Sequence, residues 1–126
     1  MEINKKIKEQ LTSMLERDQE MRQKAKNGEG EWDKRVDEEN TKELKGILKE
    51  IGWPTISKVG AGASKAAWLL AQHADHDLDF QKECLGFIVE AVEKDEVERK
   101  QIGYLTDRIL LKEGKKQLYG TQFRKN

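Results

Sequence analysis

An all-α fold, a compact bundle of about five helices with a short extended C-terminal segment, is what this sequence predicts. Three observations lead there. Pro54 is the only proline, so long stretches carry no strong helix breaker. Apolar residues recur at steps of three and four rather than two. Hydrophobic residues make up 36% and charged residues 38% of the chain, a lean core under a heavily solvated surface, as in small helical domains. With 126 residues, the chain is expected to form a single helical domain over residues 1–126.

Each element has its own justification. Ile3, Ile7, Leu11, Met14, Met21 and Ala25 make one stripe of a long first helix, which should end near the loop signal "NGEG", residues 27–30. Asp33 suits the N-cap of a second helix, whose stripe is Val36, Leu44, Ile47, Leu48 and Ile51. Gly52 and Trp53-Pro54 stop it. "TISKVGAGAS", residues 55–64, reads as a loop or short extended piece. A third, Ala-rich helix is expected over about 61–74. Asp77 or Asp79 caps a fourth, with Phe80, Cys84, Phe87, Ile88 and Ala91 or Val92 inward. A fifth spans roughly 96–111, with Ile102, Leu105 and Ile109 inward and Gly114 as its stop. The tail "KKQLYGTQFRKN" carries Leu118, Tyr119 and Phe123 and is expected to be extended or irregular, lying back on the bundle.

Lys plus Arg and Asp plus Glu both number 24, so the formal net charge is zero. That gives no signal for long nucleic acid, although a balanced total still allows local basic sites. Cys84 is the single cysteine, which excludes an intramolecular disulfide and fits a reducing compartment. The charged start "MEINKKIKEQ" lacks the apolar region of a signal peptide. No apolar run approaches the ~20 residues of a membrane span. The expectation is a cytoplasmic protein with no membrane contact.

Polar residues at core positions point to function or to buried pairing. Asp18 falls on the stripe 7, 11, 14, 18, 21, 25, where a lone carboxylate is costly. Arg22, one turn on, can partner it, and a structural Asp–Arg pair is the bland alternative. Asn40 is a weaker case on the second helix. "WLLAQHADHD", residues 68–77, holds both histidines. Leu69, Gln72, His73 and His76 share one side of the third helix, a mixture that suits a pocket wall. His73 can serve as a general acid or base; the alternative is a core histidine bonded to a backbone carbonyl. Asp75, Asp77 and Asp79 can add oxygen ligands to the histidines. The spacing matches no strong metal motif, and Asp77 and Asp79 are better explained as charges at a helix start, so no metal is expected. No cofactor is called for. "SKVGAGASK", residues 57–65, sets glycines, including Gly60, before a helix, with Ser57, Lys58, Ser64 and Lys65 as further donors. It reads either as an anion-ready start or as small residues for close packing. It lacks the spacing of a Walker loop. Cys84 reads as core.

"GWPTISKVG", then "AAWLLAQHADHD", "YLTDR" and "QLYGTQ", together with "DQEMR", resemble an uncharacterised bacterial family, a domain of unknown function, over roughly residues 14–123. Relatives of that kind continue past Y-G-T-Q, so a minimal version is expected. The resemblance directs attention to Asp18, Arg22, Trp53, Pro54, Gly60, Gln72, His73, Asp107, Arg108, Gln117, Tyr119 and Gln122. So polar and aromatic a signature implies a pocket. Asp107 or Arg108 should face the ligand or pair with Asp18. "QLYGTQ" should close one side of a cleft whose other wall carries Gln72 and His73.

Three functions follow as expectations. The first is binding or sequestration of a phosphorylated or nucleotide-like small molecule, such as a signalling nucleotide in a bacterium–phage conflict. The second is a hydrolase or lyase using His73 with Asp18 or Asp107. The third is a homodimeric interaction module paired through the first helix.

Overall fold

The computed structural model describes residues 2–122, and among them the chain folds into six helices. Phe123, expected in the tail, lies outside the described residues. α1 (Lys5–Lys26) starts at Asn4, whose side-chain oxygen accepts the Ile7 N–H at 3.1 Å. Ile3 precedes the helix and is exposed, so the stripe begins at Ile7. α2 (Lys34–Ile51) is capped by Asp33, which accepts the Arg35 N–H at 3.0 Å. Its inward face runs Asp37, Asn40, Thr41, Leu44 and Ile47, one residue round from the stripe expected through Val36. Val36 is the only apolar residue of α2 before Leu44, so hydrophobicity alone did not fix the rotation.

Residues 55–64 differ from the expected loop. Ile56–Val59 form a short helix, α3, and Gly60 links it directly to α4 (Ala61–Gln72). Gly60 has φ +88°, a left-handed conformation that β-carbon residues rarely adopt, so this joint needs glycine. α4 carries eight buried residues, four of them alanine, with Trp68 and Leu70. Buried around most of its girth, it packs on α1 and α2 and on the two helices that follow it. Small side chains let those neighbours approach. α5 (Leu78–Glu93) is capped by Asp77, and Phe80, Cys84, Ile88, Ala91 and Val92 face inward. Phe87 is half-buried and stacks on Trp53 of the G-W-P turn at 6.4 Å.

α6 (Lys100–Lys112) begins four residues later than the expected start at 96. Asp95 takes φ +54°, and the Glu96 carbonyl accepts the Ile56 N–H at 3.0 Å, so this segment serves the start of α3 instead. Leu105 and Ile109 are buried and Ile102 packs against the core as expected. Residues 115–122 are irregular and lie back on α6. No helix among the described residues is long and apolar enough to cross a membrane.

Candidate functional site

The turn after α4 is the meeting point of the polar residues. α4 ends at Gln72, and His73 is its C-cap. His73 Nδ1 lies 2.8 Å from Asp18 Oδ1, which Arg22 Nη1 also reaches. Gln19 Nε2 donates to Oδ2 at 2.7 Å. Burial would push the Asp18 carboxyl up, but the His73 hydrogen bond and charge, Arg22 and Gln19 together hold it below its ordinary range. An ionised Asp18 therefore assigns the proton to His73 Nδ1. Nε2 is left without a hydrogen-bond partner among the described residues, on a side chain 16% exposed. Both terminal nitrogens of Arg22 are engaged. Arg22 also makes a two-pronged pair with Asp37, at 2.8 and 3.1 Å, and lies over the exposed Trp32 ring at 4.6 Å. Asp37 was not singled out in the sequence; its position one turn before Asn40 and Thr41 is the signal that could have found it. With two carboxylates on one guanidinium, this cluster does not attract an anion.

Two residues further on, the same turn reaches the other side of the bundle. Asp75 accepts Arg108 Nε at 2.9 Å and Nη2 at 2.7 Å, the fork geometry that suits a carboxylate. Gln81 Nε2 joins it at 3.2 Å and also donates to the Ala71 and Gln72 carbonyls, tying off the end of α4. Desolvation opposes ionisation of Asp75, and Arg108 outweighs it, so its pKa is lowered. Asp77 caps α5 and pairs with Lys45 of α2 at 2.6 Å. His76 is exposed. The three aspartates considered as metal ligands thus have other duties in part. Among the described residues no three His, Cys, Asp or Glu gather closely enough to hold an ion.

Neither Asp107 nor Arg108 pairs with Asp18: Arg108 is taken by Asp75, and Asp107 by the C-terminal segment. Asp107 is fully buried and binds the C-terminal segment: Oδ1 accepts the N–H groups of Leu118 and Tyr119, and Oδ2 those of Thr121 backbone and hydroxyl, at 2.7–2.9 Å. Burial raises its pKa, and these four donors more than reverse that. Gln117 and Gln122 close the segment reciprocally, Nε2 to carbonyl at 2.7 Å and N–H to Oε1 at 2.9 Å.

The remaining candidates also divide between places. Lys58 Nζ donates to the Ile51 carbonyl, at the negative end of α2, and so leaves the glycine loop. The anion at that loop is the protein's own: Glu96 Oε2 accepts the Ser57 N–H at 3.0 Å, at the start of α3. Trp53 is buried, as is Gln72. Among the described residues no hydrogen bond joins Gln72 or His73 to "QLYGTQ"; Arg108 stands between them, paired with Asp75 of the α4 turn and 3.4 Å from Gln122. Tyr119 instead lines a different cleft of about 460 Å³, with Thr121 opposite the start of α6: Arg99, Lys100, Ile102, Gly103 and Tyr104. Tyr104 packs edge-on against Trp68 at 5.6 Å. Arg99, Lys100 and Tyr104 were missed because charged and aromatic residues on an exposed helix start look like ordinary surface. Burial pushes the Cys84 thiol up, away from the thiolate, and it is a core residue.

A family model described as a family of unknown function, DUF6624, matches residues 5–125. No curated protein and no solved structure matches the chain.

Proposed function

The chain belongs to the DUF6624 family, and we propose that it binds a small phosphorylated, nucleotide-like molecule in the cleft between α6 and the C-terminal segment, in the cytoplasm. One observation carries this reading. Of four clefts compared, this is the one whose lining holds two cations and no carboxylate; the others include Glu83, or Glu90 and Glu96, or Glu20, Glu31 and Asp33. Its walls offer two tyrosine rings, both exposed, whose flat faces suit a base. Arg99 has no ion-pair partner among the described residues, whereas Lys100 shares its charge with Glu98 at 3.4 Å on the surface, where such pairs hold weakly. The start of α6 adds a positive dipole end without a side-chain cap. A volume of about 460 Å³ lies in the range of roughly 300–1,000 Å³ common for small-molecule sites.

Titration with AMP, GMP, adenosine and inorganic phosphate, followed by NMR and calorimetry, tests it. A nucleotide should move the resonances of Arg99, Tyr104 and Tyr119. Arg99→Ala and Tyr119→Ala should each weaken it about tenfold, as expected when one charge-assisted or stacking contact of ~1.4 kcal/mol is lost. Sequestration requires the nucleotide to be recovered intact. If no nucleotide moves these resonances, or the double variant binds as well, the reading is wrong.

A second reading has its own observation. Asp18 orients His73 with Nε2 bare, the arrangement in which a carboxylate holds a histidine base. A hydrolase or lyase would then work at the α4 turn, on a substrate that is not strongly anionic. Chemical change in a recovered ligand, abolished by His73→Ala in a folded protein, would favour it.

A further inference from the structure

We propose that Asp107 is the positioning residue of the α6 cleft: its carboxylate latches residues 118–121 onto the helix, and ligand binding and docking of this segment are one linked event. The ligand half of this inference rests on the nucleotide reading above; the latch does not. Leu118 is 70% and Tyr119 60% exposed, so burial of apolar surface does little to hold the segment down. It also forms neither helix nor strand, so no ladder of backbone bonds retains it. What retains it is polar. Four donors from three residues converge on the Asp107 carboxylate, which has no solvent exposure. Gly120, at φ +69°, makes the bend that lets N–H groups on both its sides face the same carboxylate. The Gln117–Gln122 pair closes the bend, and Gln122 reaches Arg108 at 3.4 Å and the Tyr104 carbonyl at 3.3 Å.

Two residues held this way, Tyr119 and Thr121, are cleft walls. The Tyr119 ring lies against Gly103, where a β-carbon would stand 3.5 Å from it. With the latch open, that wall is absent and only the α6 side of the cleft remains. A ligand touching Tyr119 or Thr121 therefore favours the latched state, and the latched state favours the ligand by the same factor.

Asp107→Asn keeps the side chain's size but turns one acceptor into a donor that faces N–H groups. Amide hydrogen exchange at Leu118, Tyr119 and Thr121 should then quicken about tenfold or more, with helix amides unchanged, as for local opening rather than global unfolding. AMP affinity should fall about tenfold, the factor by which an opened state taxes binding. Thr121→Val removes one donor and leaves the carboxylate intact, so it should show a smaller change of the same kind even if Asp107→Asn fails to fold. In the wild type, AMP should slow exchange of the same three amides. Segment amides that exchange at wild-type rates in both variants would overturn the latch. Amides that quicken while AMP affinity stays unchanged would overturn the linkage. Failure of AMP and GMP alike to bind the wild type would overturn the nucleotide reading and the linkage, while the exchange rates still decide the latch.

Discussion

Asp18 gathers an imidazole, a guanidinium and a carboxamide on a carboxylate with no solvent exposure. Taking away the charge leaves Arg22 and His73 facing a neutral amide. Asp18→Asn should therefore cost about 3–5 kcal/mol, the usual penalty for breaking a buried pair. His73→Ala should cost less, about 1.5–3 kcal/mol, because Arg22 and Gln19 stay on the carboxylate. Urea unfolding of both variants checks the order; equal losses would mean that the Asp18 charge is not what matters. Asp18 and Asp75 also contribute to the acid limb of stability. Their folded pKa values lie below the ordinary aspartate value. The stability they give is complete above the unfolded pKa of about 3.9, and disappears as pH falls through the lower folded values. Their contribution to the unfolding midpoint should be flat from pH 7 to about 5 and drop steeply below about 4. Asp75→Asn should make that drop shallower. A midpoint that falls equally in both proteins would separate Asp75 from the acid limb. The sequence marked Asp18 because a carboxylate on an apolar stripe must find partners. It offered Arg22 as one, and His73 only as an acid–base partner for Asp18 or Asp107; His73 lies 55 residues away and nothing local chooses between them.

At the scale of elements, caps and breakers were legible because they act within a turn. Asp33 caps α2 as expected, Asp77 of the two aspartates considered caps α5, and Gly52 ends α2. α3 was not legible, since four residues are too few to show a period, and its first two N–H groups, of Ile56 and Ser57, are taken by Glu96 from a distant loop. Gly46 and Gly86 lie inside α2 and α5 with no atom within 4 Å of a built β-carbon. Gly46→Ala and Gly86→Ala should each stabilise the protein by about 0.5–1 kcal/mol, by restricting the unfolded chain. A rise in the thermal midpoint checks this; a fall would show that something approaches these positions in solution.

For the whole molecule, the turn from His73 to Asp77 is the joint. His73 fastens it to α1, Asp77 to α2 and Asp75 to α6, around the buried α4. Such a joint should make unfolding cooperative. Far-UV dichroism, which reads all the helices, and tryptophan fluorescence, which reads Trp32, Trp53 and Trp68 in three different places, should share one transition. Two separate transitions would mean that this turn does not unite the bundle. The helical class, most boundaries and the polar residues needing partners were determined by the sequence alone, because period, capping and the cost of a buried charge act over a turn or two. Tertiary structure decided which partner each one took. Asp18 went to His73, Asp75 to Arg108 and Asp107 to the segment beyond Gly114. It also set Tyr119 in a cleft with the start of α6. The physical reason is that such pairs depend on how α1, α5 and α6 settle around α4, a packing set by shape and burial summed over the whole chain.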